Sequence, residues 1–160
     1  MQTQWDYKNH PHFPKPKDEN GYLESMSRIV FSTGLNWNVV NKKWPDIQKS
    51  FAHFSVEKVA KFNDLAIEEL LKDEKMIRSS GKIKAIIKNA KTILDVKKEF
   101  GSFRDYLTQT KKQGIDYLLK DLKKRFSYMG SSTSIMFLYG VGEESPELQK
   151  KMMSAHKKKG

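Results

Sequence analysis

Residues 81–101, GKIKAIIKNAKTILDVKKEFG, carry the clearest periodic pattern in this 160-residue chain. Apolar side chains recur there at helical spacing, at Ile83, Ile86, Ile87, Ala90, Ile93, Leu94 and Val96. This spacing places them along one face of an α-helix and leaves the lysines on the opposite face. Gly101 follows as a residue type that commonly ends helices. The pattern therefore predicts a long amphipathic helix with one buried face.

The segments on either side of that helix are also helical in pattern. In NDLAIEELLKD, residues 63–73, Asn63 suits an N-cap, and Leu65, Ala66 and Leu70 form a buried stripe opposite Glu69 and Lys72. Shorter helices are predicted at about 45–53, 55–61, 102–110, 114–125 and 131–140, and a last one begins at Ser145 and Pro146. Nothing resembles a strand ladder or a repeat. The predicted fold class is all-α.

Length and composition fit a single domain, residues 1–160. A chain with 38% hydrophobic and 11% aromatic residues closes a modest core. Prolines at positions 11, 14 and 16 exclude a regular helix near the start. We therefore predict that residues 1–18 form an irregular arm packed on the domain, and that residues 145–160 form a terminal helix and a basic tail.

The charge of the chain favours an anionic partner. Thirty Lys and Arg residues against nineteen Asp and Glu residues give a formal net charge of +11. An excess of this size is typical of proteins that bind nucleic acid or a membrane surface, and the sign alone does not separate the two. No apolar run approaches the roughly 18 residues that a bilayer span needs, and the first ten residues lack a signal-peptide core. The chain is therefore expected in the cytoplasm, without a membrane partner.

The cysteine count excludes several kinds of site. The chain contains no cysteine, which removes disulfides, thiolate metal ligands and cysteine nucleophiles together. His10 and His12 lie close enough in sequence to touch one metal ion, but two ligands alone rarely hold zinc. We interpret them as solvated loop histidines and expect neither a metal nor a cofactor.

Residues 120–142, KDLKKRFSYMGSSTSIMFLYGVG, break the amphipathic pattern. A basic helix end is followed by a short turn with a glycine and then by an apolar helix, which is the outline of a DNA-binding hairpin. Backbone N–H groups at the start of the second helix are suited to hold a phosphate without reading a base. The candidate phosphate-binding residues are Lys123, Lys124, Arg125, Tyr128, Gly130, Ser131, Ser132 and Thr133. The alternative is an ordinary helix connection in which Gly130 supplies the turn and Ser131 the cap.

Several short sequence motifs follow one another in the middle of the chain. They are Gly34-Leu35-Asn36-Trp37, then Phe54-Ser55-Val56 leading to Val59-Ala60, then Met76-Ile77-Arg78 leading to Lys82-Ile83 and Ala85-Ile86. Together with the hairpin, they resemble bacterial DNA-3-methyladenine glycosylase I, a family of the helix-hairpin-helix glycosylase superfamily. The resemblance covers roughly residues 18–142.

The resemblance implies a function and a set of site residues. It implies a monofunctional DNA glycosylase of base-excision repair that hydrolyses the N-glycosidic bond of an extruded alkylated purine such as 3-methyladenine. Trp37 would stack on the extruded base beside Asn36, and Leu35 would lie near the gap that the base leaves. Tyr7 aligns with a pocket tyrosine, with Trp5 and Phe13 as the alternatives on the arm. The implied protein is a monomer that acts on double-stranded DNA in the nucleoid.

The residues alone allow another interpretation of the two tryptophans. Trp37 and Trp44 are seven positions apart, which puts both on one helix face and suits core residues. For Trp44 we predict the core.

The chain departs from the family at the positions that read the base. Ile29 stands where the family carries a glutamate that bonds the methylated base, and Phe31 and Ser32 replace two glutamines. The family's zinc is not expected, because its cysteine ligands are missing and Lys8 replaces its first histidine ligand. Other helix-hairpin-helix glycosylases carry an aspartate after the hairpin that this chain lacks. The methyladenine family manages without it, so its absence agrees with the resemblance, and no catalytic residue is assigned.

Two other functions stay open, the first because of these departures and the second because of the charge. The first is a non-catalytic, glycosylase-like protein that binds damaged, abasic or distorted DNA. The second is a basic helical adaptor for RNA or protein, which leaves the hairpin without a purpose.

Overall fold

The computed structural model describes residues 15–159, with side chains described for residues 15–154. This part of the chain forms nine α-helices and one short 3₁₀ turn, Ala52–Phe54. The helices are α1 (Glu19–Ser32), α2 (Trp37–Ser50), α3 (Val56–Ala60), α4 (Asp64–Lys72), α5 (Ser80–Phe100), α6 (Phe103–Lys111), α7 (Ile115–Arg125), α8 (Ser131–Gly140) and α9 (Pro146–Lys159). The prediction of an all-α fold is confirmed. Within the described residues, no helix is both long and apolar enough to cross a membrane.

Side-chain caps define where most of the helices begin. Asp18, Asn36 and Ser102 each accept a hydrogen bond from a backbone N–H in the first turn of the helix that follows. Asn63 caps α4 by accepting from the Ala66 N–H, as predicted. Ser145 likewise caps α9 by accepting from the Leu148 N–H at 2.9 Å. These polar residues satisfy N–H groups that have no partner within their own helix.

Helix α5 lies at the centre of the domain. It packs against α1, α3, α4 and α6. Its apolar face is buried as predicted, with Ile83, Ile86 and Ile93 fully inaccessible to solvent. Gly101 follows as the C-cap and adopts a positive φ of 97°. The hairpin helices α7 and α8 pack on each other, and α8 also contacts α1 and α9.

Two predictions about the first half of the chain were wrong. The helix expected at 45–53 is α2, which begins eight residues earlier at Trp37 and contains Pro45 as an exposed interior residue. The buried position predicted for Leu65 was also wrong, because this residue is 64% exposed. Helix α4 is only nine residues long. It packs on the core through Leu70, Ile67 and Leu71, so its first turn projects into solvent.

An unusual turn joins α2 to α3. Three consecutive residues, Ala52, His53 and Phe54, have φ values of 54°, 52° and 57°. Left-handed backbone is unfavourable for residues with a Cβ, at roughly 1–2 kcal/mol each. The flanking aromatic rings hold the turn, since Phe51 and Phe54 are fully buried with their rings stacked at 5.6 Å. The Phe54 ring also stacks on Trp44 at 5.3 Å.

Candidate base site and DNA interface

The connection between α1 and α2, residues 33–36, forms the first part of the candidate site, and we call it the α1–α2 loop. Gly34 takes a φ of 76°, a conformation that favours glycine. Asn36 caps α2 by accepting from the Asn38 N–H at 2.7 Å. The loop therefore leaves Leu35 at the surface, where the residue is 41% exposed, and Val39 is similarly exposed at 43%. Exposed apolar residues at a loop tip are suited to contact unstacked bases.

Trp37 and Ile29 lie beside this loop but differ in exposure. Trp37 is the first residue of α2 and is half-buried against the core. Ile29, in the last half of α1, is 8% exposed and belongs to the core. Phe31 is fully buried, with its ring edge-to-face against Trp44 at 6.2 Å. Residue 29 thus supplies no carboxylate, and both Ile29 and Phe31 contribute apolar side chains to the core.

Trp44 is a structural residue, as predicted. It is 3% exposed, and its indole Nε1 donates to the Glu24 carboxylate at 2.9 Å. The same Glu24 oxygen accepts from the Gln48 side chain at 2.7 Å. The Arg28 guanidinium lies 4.7 Å from the Trp44 ring centre, and burial lowers the pKa of Arg28 below its ordinary value. The polar end and one face of this indole are therefore occupied within the protein.

Lys82, near the start of α5, holds the α1–α2 loop in place by hydrogen bonds. Its side chain reaches from the first turn of α5 and donates to the carbonyls of Phe31 and Thr33, at the end of α1. Burial lowers the pKa of Lys82 from its ordinary value. Its partners lie 49 and 51 residues away along the chain, so no local sequence pattern identifies this role.

Tyr7, predicted for the base pocket, lies outside the described residues, as do the other aromatic candidates of the arm, Trp5 and Phe13. The described part of the arm begins at Lys15. Its ammonium lies 3.4 Å from the buried Glu143 carboxylate, which also accepts from Lys111 at 2.9 Å. Arg104 donates to the Pro16 carbonyl at 2.9 Å. These contacts tie the end of the arm to α6 and to the segment before α9.

The hairpin turn, residues 126–130 between α7 and α8, is anchored by a buried amide. Asn89 in α5 is 1% exposed; its Nδ2 donates to the Ser127 carbonyl at 3.1 Å, and its Oδ1 accepts from the Ser127 N–H at 2.8 Å. Phe126 and Met129 are buried on either side. Asn89 escaped the sequence analysis, although a polar residue within the apolar stripe of α5 was a usable signal. Its double hydrogen bond fixes the turn relative to the central helix.

The outer face of this hairpin fits the predicted phosphate contacts. Gly130 precedes α8 and gives no side-chain cap, so the first N–H groups of that helix keep their capacity to bind an anion. Ser131 and Ser132 are exposed there and Thr133 is half-buried. Lys123 and Lys124 are exposed at the end of α7.

Tyr128 has a distinct position in the hairpin turn. Its backbone is left-handed, with a φ of 62°, and the residue is 46% exposed. The phenol oxygen lies over Gly81, where a Cβ would approach it to 2.8 Å. Tyr128 therefore touches the start of α5 while presenting much of its ring to solvent.

The structure gives Arg125 a role inside the protein. Its guanidinium donates to Asp121 at 2.7 Å and to Glu99 at 3.0 Å. These carboxylates raise the pKa of Arg125, with the hydrogen bond to Glu99 contributing most. Asp121 also accepts a hydrogen bond from the buried Tyr106 hydroxyl at 2.7 Å. The pKa of Tyr106 is raised mainly by burial and next by this hydrogen bond. Because both carboxylates engage Arg125, the geometry favours Lys123 and Lys124 over Arg125 for phosphate binding.

The chemistry of the donor groups does not fit a zinc site. The sequence contains no cysteine. Over the described residues, no three His, Asp or Glu side chains come together in a way that would hold a metal ion. Glu143, the buried carboxylate near the C-terminal segment, is already flanked by Lys15 and Lys111. A cavity of about 350 Å³ nearby is lined by Tyr139 and residues 143–149 other than 147, which include none of the predicted base-site residues.

Sequence comparison relates this chain to characterised bacterial proteins. The methyladenine glycosylase family model matches residues 5–136. The DNA-3-methyladenine glycosylase of Haemophilus influenzae is 30% identical over 148 residues, covering 80% of this chain and 80% of that protein. DNA-3-methyladenine glycosylase 1 of Escherichia coli is 32% identical over 152 residues, covering 78% of this chain and 81% of that protein.

Structural comparison finds the same fold. A crystal structure of 3-methyladenine DNA glycosylase I superimposes with a TM-score of 0.73 at 24% identity, covering 89% of this chain and 90% of the other. The structure describing 3-methyladenine recognition by the Staphylococcus aureus enzyme has a TM-score of 0.74 at 24% identity, covering 88% and 85%. At these identities the likeness establishes the fold.

Proposed function

The chain belongs to the methyladenine glycosylase family and is thus a monofunctional DNA glycosylase of base-excision repair, and we propose that the base it removes is 3-methyladenine or a related alkylated purine. The observation that carries this proposal is the half-buried Trp37 at the start of α2, two residues after the exposed Leu35. Trp37 has the accessible surface that a stacking partner needs, whereas Trp44 does not.

The proposed reaction is hydrolysis at the sugar carbon C1′. Water forms the new bond to C1′ and releases a proton to the solvent as the bond to the base nitrogen breaks, and the base departs with the bonding electrons. An alkylated purine nucleotide carries a positive charge that its departure neutralises, so the base is already a good leaving group. The reaction therefore requires extrusion and positioning of the nucleotide more than it requires a dedicated acid. We assign no side chain to the activation of water.

We propose that the site recognises the base mainly by stacking and shape. An indole face attracts a cationic base, and stacking of this kind contributes about 1–3 kcal/mol per base. Ile29 supplies no hydrogen-bond acceptor where the family has a glutamate. A charged hydrogen bond contributes about 1.5–3 kcal/mol, so its loss is expected to broaden the range of alkylated purines accepted. Tyr7 on the arm and the capping residue Asn36 complete the proposed surroundings of the base.

The decisive experiment measures release of free bases from methylated duplex DNA, separated by chromatography. We expect wild-type protein to release 3-methyladenine and Trp37→Ala to release it about 5- to 150-fold more slowly, because the stacking contribution is lost. Trp37→Phe keeps an aromatic face and serves as the matched control. Absence of release by the wild type, with retained binding to abasic DNA, would instead favour the non-catalytic lesion binder.

The hairpin is proposed to grip the DNA backbone of a duplex substrate, with the protein acting as a monomer in the nucleoid. Lys124→Gln removes an exposed charge, so the salt dependence of duplex binding should weaken by roughly 0.9 in the slope of log K against log salt. Arg125→Gln is the matched control, because Arg125 is engaged by Asp121 and Glu99. Equal changes in slope for the two variants would contradict this division of roles.

A further inference from the structure

The start of α5 touches both halves of the candidate site. Lys82 donates to the Phe31 and Thr33 carbonyls, which border the α1–α2 loop carrying Leu35. The preceding residue, Gly81, lies beneath the phenol oxygen of Tyr128 in the hairpin turn. Two adjacent residues of one helix therefore contact the proposed base-side loop and the proposed phosphate-side turn.

Both contacts belong to a stiff part of the molecule. Helix α5 begins with a capped turn, in which Ser79 accepts from the Lys82 N–H at 3.3 Å. Further along α5, Asn89 holds the backbone of Ser127 by two hydrogen bonds, and Lys88 donates to the Arg125 carbonyl at 3.2 Å. A side chain on such a support keeps its partners within a narrow range of positions, which is a requirement of precise catalysis.

We propose that Lys82 is a positioning residue for base excision, which fixes the α1–α2 loop relative to the hairpin so that Leu35 and Trp37 meet the extruded nucleotide while the hairpin holds its backbone. This inference rests on the proposed function of the same site. Lys82 acts through the two carbonyls and through the loop, so it needs no contact with DNA. Its ammonium has two acceptors on the loop side, whereas a surface lysine has water.

Exposed lysines on the same helix provide the contrast. Lys84, two residues further along α5, carries the same charge on an exposed side chain. If Lys82 served only as one more positive charge near DNA, removing either lysine would have the same effect. If Lys82 positions the loop, only its own replacement alters the reaction of bound DNA.

The test compares Lys82→Gln, Lys82→Met, Lys82→Arg and Lys84→Gln in single-turnover release of 3-methyladenine. Lys82→Gln is expected to lower the single-turnover rate by on the order of 100-fold, the effect of misplacing reacting groups by about 1 Å. Its Kd for undamaged duplex should stay within about twofold of wild type, as for the loss of at most one screened contact. Lys82→Arg retains a cationic donor and should recover most of the rate, and Lys84→Gln should match wild type. Lys82→Met keeps the aliphatic stem and replaces the Gln variant should that one fold poorly.

A second readout separates failure of this inference from failure of the proposed function. A duplex with a tetrahydrofuran abasic site beside 2-aminopurine reports unstacking at the gap without any excision. We expect wild-type protein to increase the fluorescence and Lys82→Gln to lose that increase at saturating protein. If the wild type releases no base but this difference persists, the proposed reaction fails and the positioning role stands. Equal fluorescence and equal release rates for Lys82→Gln, Lys84→Gln and wild type would overturn the positioning role.

Discussion

The two ends of α2 show how one helix serves two purposes. At its start, Trp37 is half-buried and follows a loop whose apolar tip, Leu35, faces solvent. Two helical turns later, Trp44 is 3% exposed, with its Nε1–H bound to Glu24 and its ring stacked on Phe54. The residue type and the helix face are the same at both positions. The difference lies in the neighbours, which satisfy Trp44 completely and leave Trp37 with surface to offer a ligand.

This contrast explains why a basic chain places two tryptophans within eight residues. The C-terminal end of α2 is a fixed support, made of Trp44, Phe51 and Phe54. The N-terminal end is capped by Asn36, and Lys82 bonds the chain just before it, at Phe31 and Thr33. The apolar side chains of Leu35 and Val39 stay at the surface there. A rigid support beneath an accessible loop is the arrangement that positions a binding group precisely.

The largest expected effect is a difference in how much the two tryptophans contribute to the free energy of unfolding. Trp44→Ala should lower the free energy of unfolding by about 3–5 kcal/mol, because it leaves a cavity in the aromatic cluster. Trp37→Ala removes a half-buried ring and should cost well under half as much. Urea unfolding followed by circular dichroism measures both values, and Trp44→Phe is the control that retains most of the volume. Equal losses of unfolding free energy at the two positions would contradict the proposed difference between the two ends of α2.

Sequence patterns predicted the elements whose signals are local. The apolar stripe of residues 81–101 predicted α5, and the Asn63 cap placed the start of α4 correctly. The start of α2 was missed because Pro45, a residue type favoured in first turns, lies inside the helix instead. The left-handed turn at residues 52–54 contains no glycine, so no residue type in this segment indicated it.

The candidate site was less predictable, because its contacts join distant parts of the chain. Lys82 and Asn89 reach partners 38 to 51 residues away. Arg125 was grouped with its neighbours by charge, but its partner Glu99 lies 26 residues earlier. Helical periodicity describes one element at a time. The periodicity of one helix does not indicate which carboxylate or carbonyl of another element lies close to it.

The next effect concerns the anchor of the Trp44 end. Glu24→Ala removes the acceptor of the Trp44 Nε1–H and of the Gln48 amide. A buried donor left without a partner costs about 1–3 kcal/mol, and we expect a loss of stability in that range. The Trp44→Phe variant has no indole N–H that could lose its partner. Glu24→Ala should therefore lower the free energy of unfolding by less in that background. A double-mutant cycle measured by urea unfolding gives the coupling, and a coupling of zero would show that Glu24 does not anchor the indole.

A smaller effect is expected at the cap of the Trp37 end. Asn36→Ala removes the side chain that accepts from the Asn38 N–H, and loss of an N-cap costs about 1 kcal/mol. Asn36→Asp retains an acceptor and should retain the stability. Because the cap also sets where α2 begins, Asn36→Ala should slow base release more than it weakens binding to undamaged duplex. Thermal unfolding and single-turnover release measure the two effects, and a stability equal to wild type would show that the cap contributes nothing.

The smallest effect is a gain in stability at the opposite end of α2. His53 is exposed, with φ 52° and ψ 33°, so its Cβ makes the left-handed backbone unfavourable without any compensating burial. Glycine removes roughly 1–2 kcal/mol of strain but gives the unfolded chain extra freedom that costs about 0.5–1 kcal/mol. His53→Gly should therefore raise the free energy of unfolding by about 0.5–1 kcal/mol. His53→Ala loses the imidazole but keeps the Cβ, so it should give no gain. Since the turn belongs to the support and not to the accessible loop, His53→Gly should leave base release unchanged, and a slower reaction would show that the two ends of α2 are not independent.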